Sequence, residues 1–296
     1  MKRLMLCLLV LVLAAGCNQR AGRGSAKTRA SVPGNLTVWF IDVGQGDSTL
    51  IRTPRGSFVL IDAGTPDAAG KIISFMRQED VDRLAVAVGT HPHADHIGGM
   101  REVLRSFRVD AYMDPAFPYA TNTYRNLLRE IKGQGLRFIT ARRGMEEEID
   151  GVRFQVLWPE EPFLEGTESD ANNASIVLRL IYKNISMLFM GDAQLEAVDR
   201  ILKGTTDIES DLIKISHHGS ADGTTPELLE RVKPKYAVIF CAEGNEYGYP
   251  HRETMEALRA SKCRILRTDL NGTITVSTDG RKLEISVERG EIGEPK

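Results

Sequence analysis

Between Leu36 and Ile61 the chain passes through three short apolar runs, LTVWFIDVG, STLIRTP and FVLIDAG, parted by GQGD and PRG turns. Their β-branched and aromatic content predicts an antiparallel meander. TPDAAGKIISFMRQED then shows apolar residues at helical spacing, LAVAVG reads as a short buried strand, and from Ile97 the pattern turns helical through Met100, Val103, Leu104 and Phe107. A strand near VDAYMD, a helix through TYRNLLREIKGQG, a strand LRFIT and a hairpin ending at VRFQVLWP follow. Residues 160–171 are acidic and turn-rich and predict a loop. Beyond it the strand runs SIVLRLIY, ISMLFMGD, DLIKIS, KYAVIFC and CRILRT are interleaved with helical AQLEAVDRILKG, TPELLERV and HRETMEALRAS, before a closing hairpin from GTITVS to LEISVE. Two β-rich halves with helices outside predict an α/β fold, a four-layer αββα sandwich.

The first twenty residues change the picture of where this fold resides. A basic start, an apolar stretch and small residues running into Cys17 read as a secretory signal rather than a spanning helix. Leu13-Ala14-Ala15-Gly16-Cys17 resembles a bacterial lipobox with its leucine one position early, which implies cleavage before Cys17 and a lipid on its thiol. An uncleaved signal anchor and cleavage elsewhere are the other readings. The expected organisation is a signal peptide over 1–16, a flexible tether over 17–34, a folded domain over 35–289 and a disordered tail over 290–296, held at the membrane on its extracytoplasmic side. Loss of Lys2 and Arg3 takes Lys+Arg from 38 to 36 against 40 acids, so the formal charge moves from −2 to −4. No global basic field announces a nucleic-acid partner. Cys241 and Cys263 would remain, too few for a cysteine zinc site, and two buried thiols are expected in preference to a bridge.

Candidate chemistry concentrates at HPHADH, residues 91–96, directly after the LAVAVG strand. His91 and His93, two apart, can approach one metal from the same side, while the adjacent Asp95 and His96 point toward a second position. Imidazole nitrogen and carboxylate oxygen suit zinc and leave room for water. Two ions about 3.5–4 Å apart would form a hydrolytic pair. A solvated histidine-rich loop is the bland alternative, and four ligand-type side chains within six positions at the end of a buried strand weigh against it.

HPHADHIGG resembles the signature of the metallo-β-lactamase superfamily, and the resemblance extends from Leu36 to Val287. It implies that Asp62 in VLIDAG supports the histidine loop from beneath and that Asp192 in MLFMGDAQ is a metal-bridging carboxylate. It also implies that LIKISHHGS supplies the remaining ligand of the second metal, with His218 favoured and His217 facing substrate. Many members place a third histidine on the first metal, yet no histidine stands between His96 and His217. Asn172, Asn173 and Ser175 occupy that stretch as polar substitutes. VWFIDVGQGDSTLI, NNASIVLRL, FMGD, SHHGS and EYGYPHRETMEALR together resemble the extracytoplasmic hydrolase domain of ComEC-type DNA-uptake proteins. Those proteins join it to a polytopic channel; the expectation here is the hydrolase domain on a lipid tether.

The resemblance implies two divalent ions, zinc first and manganese as the alternative. His91, His93 and Asp192 would hold one, and Asp95, His96, Asp192 and His218 the other, with Asp95, His217 and Asn173 as the catalytic candidates. The expected reaction is attack of water on a phosphodiester, single-stranded DNA being one candidate substrate. Gln45, Asp47, Lys214 and His251 are candidate substrate contacts, against bland readings as a glycine-rich turn, a surface lysine and a solvated helix start. Tyr247 and Tyr249 would flank the substrate or simply pack. Rival functions are a phosphorylcholine-esterase-like enzyme of the cell envelope, a lactone or ester hydrolase, and an inactive DNA- or ligand-binding lipoprotein.

Overall fold

A computed structural model describes residues 34–292. The expected signal peptide, Cys17 and nearly all of the expected tether lie outside the described residues.

The first sheet opens with β1 (Leu36–Phe40), β2 (Thr49–Arg52) and β3 (Phe58–Ile61) as an antiparallel meander. It continues in parallel through β4 (Arg83–Val88), β5 (Arg108–Val109), β6 (Ala111–Asp114) and β7 (Arg137–Thr140). The connections carry α1 (Ala69–Gln78), α2 (Ala94–Ile97), α3 (Met100–Ser106) and α4 (Asn122–Gln134). The Thr121 hydroxyl accepts from the Tyr124 amide to start α4, and Gly135 in the left-handed region ends it.

The second sheet runs antiparallel through β8 (Glu146–Ile149), β9 (Val152–Trp158), β10 (Val177–Tyr182) and β11 (Ile185–Phe189). It then runs parallel through β12 (Leu212–Lys214), β13 (Tyr236–Ile239) and β14 (Arg264–Arg267). Between these strands lie α5 (Asp170–Asn173), α6 (Leu195–Lys203), α7 (Pro226–Val232) and α8 (Arg252–Ala260), and α9 (Thr268–Asn271) follows β14. The closing hairpin, β15 (Ile274–Thr278) and β16 (Leu283–Val287), pairs with β1. The last hairpin therefore returns to the first sheet, which a simple division into two halves does not place.

Alternation along β1 explains the layering. Val38 and Phe40 face the core between the sheets, where Phe40 stacks on Phe189 at 6.0 Å. Trp39 and Ile41 face the opposite side, against Ile72 and Met76 of α1. Leu188, Ile213 and Ile239 likewise pack under Val198 of α6 and Leu228 of α7. Each fully buried side chain of this size contributes about 1.5–3 kcal/mol. Cys241 and Cys263 are both buried and free. Ile292, past the expected domain end, still packs on the core between the sheets. No helix among the described residues is long and apolar enough to cross a membrane.

Candidate metal centre

The chemistry gathers where strands from both sheets run out. Asp62 follows β3, the histidine loop follows β4, Asp192 follows β11, and His217 and His218 follow β12. Asp62 adopts φ 59°, a left-handed conformation rare for a residue with a side chain. In that position its carboxylate accepts from the Thr90 amide at 2.8 Å and the Thr90 hydroxyl at 2.7 Å, tying the end of β3 to the loop after β4. Gly46 has φ 135°, and a Cβ there would run into the Asp95 carbonyl, so the turn between β1 and β2 can close on the histidine loop only with glycine.

Each buried imidazole of the cluster is anchored through Nδ1, leaving Nε2 inward. His96 Nδ1 lies 2.8 Å from Asp62 Oδ2, and His96 Nε2 lies 3.0 Å from Asp192 Oδ2. His218 Nδ1 lies 3.2 Å from the Phe240 carbonyl, and its Nε2 is 3.1 Å from Asp95 Oδ2. His91 Nδ1 is 3.2 Å from the Thr90 hydroxyl, and its Nε2 faces His93 Nδ1 at 3.1 Å and Asp192 Oδ2 at 3.8 Å. An anchored Nδ1–H leaves an Nε2 lone pair, the tautomer a metal ligand needs. A tetrahedral ion with bonds of about 2.0–2.1 Å separates its ligand atoms by roughly 3.3 Å, close to the spacings here. Ligand atoms of Asp95, His96, Asp192 and His218 all lie within 4.8 Å of one another. The donor set fits a divalent ion there, with the His91–His93 pair beside it sharing Asp192.

The local field is strongly anionic. Asp47, Asp62, Asp95 and Asp192 surround His96 and His218, with Lys214 as a permanent counter-charge. Burial alone would depress the His218 imidazole, yet Asp192 and the hydrogen bonds to Asp47 and Asp95 push it up to about 9. His96 is raised in the same way, chiefly by Asp192 and Asp62 against its burial. A field that draws protons onto imidazoles favours a divalent cation for the same reason. His91, buried and beside His96, is held well below the ordinary imidazole range.

His217 lies at the rim, its side chain 18% exposed. Both His217 and His218 have positive φ, 46° and 54°. The turn they make sends His218 inward and brings Asp222 back to His217 Nδ1 at 3.1 Å. Asp222 also accepts from Gln194 Nε2 at 2.7 Å. Burial lowers the His217 imidazole, but the Asp222 hydrogen bond and the Asp192 charge outweigh it and raise it above the ordinary value. Tyr249 lies against both histidines, and Tyr119 packs edge-on against His93 at 5.4 Å.

Several sequence candidates occupy places other than those expected. Asp47 and Lys214 form a fully buried ion pair, and Lys214 Nζ also donates to the Gly191 carbonyl at 2.9 Å. Buried in this way, they brace the strand ends that carry the candidate ligands. Asn173, expected to be catalytic, is buried; its Oδ1 accepts from the Gln194 and Ala197 amides at the start of α6 and its Nδ2 donates to Glu196. That is helix capping, not chemistry. His251 engages both ring nitrogens with backbone, the Ala221 amide at 3.1 Å and the Tyr247 carbonyl at 3.2 Å, and so pins two loops together. Gln45 Oε1 accepts from the Ala242 amide at 3.2 Å. Asp222, Gln194 and Thr90 escape a reading of the sequence. Asp222 lies four positions past His218, and only the left-handed turn, which no local pattern announces, brings it to the rim.

The pattern describing the Metallo-beta-lactamase superfamily matches residues 41–243, and the chain belongs to that superfamily. Among its curated relatives are competence proteins of the kind the sequence resembles. ComE operon protein 3 of Bacillus subtilis is 29% identical over 254 residues, covering 80% of this chain and 32% of that protein. Competence protein ComA of Neisseria gonorrhoeae is 30% identical over 249 residues, covering 82% and 33%. The chain thus spans about a third of the length of these relatives. Among solved structures, CmlA, a diiron beta-hydroxylase from Streptomyces venezuelae, matches with TM-score 0.55 at 14% identity over 83% of this chain and 55% of that one. Igni18, a metallo hydrolase from Ignicoccus hospitalis, matches with TM-score 0.51 at 12% identity over 81% and 98%. At such identities the likeness speaks for the fold alone.

Proposed function

We propose that the protein is a metal-dependent phosphodiesterase that cleaves single-stranded DNA or a related phosphodiester outside the cytoplasmic membrane. The observation that carries this reading is the convergence of Asp95, His96, Asp192 and His218, with the His91–His93 pair beside them and the His217–Asp222 pair at the rim. His91, His93 and Asp192 would hold one ion and Asp95, His96, Asp192 and His218 the other. Bound there, divalent ions supply a water acidic enough to attack near neutral pH and neutralise charge on the phosphate. Asp62, through His96, and the Phe240 carbonyl, through His218, fix the imidazoles so that no reorganisation is needed at the moment of reaction. His217, oriented by Asp222, would deliver a proton to a departing alkoxide. Likeness to competence proteins supports DNA as the substrate class, and the lipobox-like string ending at Cys17 supports an extracytoplasmic, membrane-tethered location.

The test is incubation of the full-length, metal-loaded chain with a single-stranded oligonucleotide and with a small bis-aryl phosphodiester. Cleavage of both, lost in Asp192→Asn, is expected. Cleavage of the small ester alone moves the reading to an envelope phosphoesterase. Cleavage of neither by a metal-loaded protein removes the phosphodiesterase reading.

A further inference from the structure

The second ion position is surrounded by its ligands, whereas the first has only His91, His93 and the shared Asp192. Asn172 lies on the short segment between β9 and β10, which is tied to the residues flanking that first position. The Ile176 amide donates to the Thr90 carbonyl at 2.8 Å, the Asp192 amide donates to the Ser175 hydroxyl at 3.1 Å, and the Ser175 amide donates to the Asn172 carbonyl at 2.9 Å. The turn that begins at Asn172 is thereby tied, through Ile176 and Ser175, to the residue before His91 and to Asp192. Its side chain is buried, 3% exposed, and its Oδ1 has no hydrogen-bond partner. Its Nδ2 has only a long contact, 3.5 Å, to His217 Nε2. A buried carboxamide oxygen without a donor costs about 1–3 kcal/mol unless something outside the protein satisfies it.

Resting on the two-ion reading above, we infer that the Asn172 carboxamide oxygen is the protein's remaining ligand to the ion at His91 and His93. Two consequences follow from ligand chemistry. A neutral oxygen is a poorer zinc ligand than imidazole, so this position binds zinc more weakly than the Asp95–His96–Asp192–His218 position does. Two oxygens against two nitrogens also shift its preference toward harder ions such as manganese. The enzyme then has one firmly held ion and one exchangeable ion whose occupancy follows the metal supply.

The experiment uses the full-length chain stripped with chelator and titrated with Mn²⁺ and separately with Zn²⁺, without substrate. Bound metal is counted by equilibrium dialysis, and coupling between manganese ions is followed by electron paramagnetic resonance. Wild-type protein should bind two ions with separated affinities and show a coupled Mn²⁺ pair when full. Asn172→Ala should weaken the looser ion at least about tenfold, a loss of the size seen when a ligand-supporting contact is removed, and abolish the coupled signal while the tighter ion keeps its Kd. Asn172→His should act in the opposite sense, tightening the looser zinc at least about tenfold. This gain keeps the test decisive if the alanine variant is poorly folded. Unchanged affinities in both variants, or wild-type protein that binds a single ion, overturn the inference. A chain that holds two ions through Asn172 yet cleaves no phosphodiester leaves the inference standing and removes the functional reading instead.

Discussion

His218 Nε2 sits 3.1 Å from Asp95 Oδ2, joining two residues 123 positions apart at the point where the two sheets meet. Neither side chain explains the other as an ordinary ion pair, because His96 also approaches Asp95, and Asp192 approaches both imidazoles. Replacement of His218 by alanine should therefore remove about one ion per chain while the His91–His93 ion remains bindable. Metal content after dialysis against limiting Zn²⁺ checks this. Full retention of both ions would remove His218 from the ligand set.

The His217–Asp222 pair is expected to matter in proportion to how badly the leaving group needs a proton. His217→Gln should slow hydrolysis of an alkyl phosphodiester about a hundredfold or more while changing that of a p-nitrophenyl ester far less. Asp222→Asn should act in the same direction with smaller effect. A loss equal for both leaving groups would assign His217 to metal or substrate positioning.

Lys214 and Asp47 are buried with the ligand-bearing strand ends packed around them. Lys214→Met leaves the Asp47 charge without its main partner and should cost about 3–5 kcal/mol by urea unfolding. The double variant Lys214→Met/Asp47→Leu should recover part of that loss. A single variant as stable as wild type would contradict the bracing role.

Asp114 supplies a pH signature away from the metal ligands. Burial pushes its carboxyl up from 3.8 to about 6, against hydrogen bonds from the Tyr124 hydroxyl and the Ala116 amide, both at 2.7 Å. The folded state thus keeps a proton that the unfolded chain releases between pH 3.8 and about 6, and this group's contribution to stability falls as pH rises through that window. Above it the cost is at most about 3 kcal/mol. Asp114→Asn preserves the acceptor for both donors and removes the cost. It should raise the melting temperature at pH 7.5 and leave it nearly unchanged at pH 4, as measured by thermal unfolding at the two values. A variant destabilised at pH 7.5 would show that the charged form is the one the fold needs.

Local patterns carry the fold further than they carry the site. Strand alternation at Val38–Ile41 and the apolar spacing of Ile72 and Met76 are enough to assign layers, because burial repeats with the period of each element. The histidine loop is equally legible, since four of its ligand-type residues are neighbours in the chain. What stays hidden depends on tertiary approach. Asn173 and Asn172 are adjacent and chemically identical, yet one caps α6 and the other leaves a buried oxygen unpaired. Lys214 reads as a surface lysine until the second sheet packs it onto Asp47. Asp222 reaches His217 only through backbone of positive φ at two non-glycine residues.

The most direct measurement is the rate of phosphodiester hydrolysis by the full-length chain as Zn²⁺ or Mn²⁺ is added back after chelation, with Asp192→Asn alongside. Asp192 lies within reach of His91, His96 and His218, so both proposed ion positions would depend on it. The expected result is activity that rises with bound metal and is absent from the variant at every metal concentration. Activity that persists in the chelated protein, or in Asp192→Asn, would contradict a reaction run by metal ions held at this cluster.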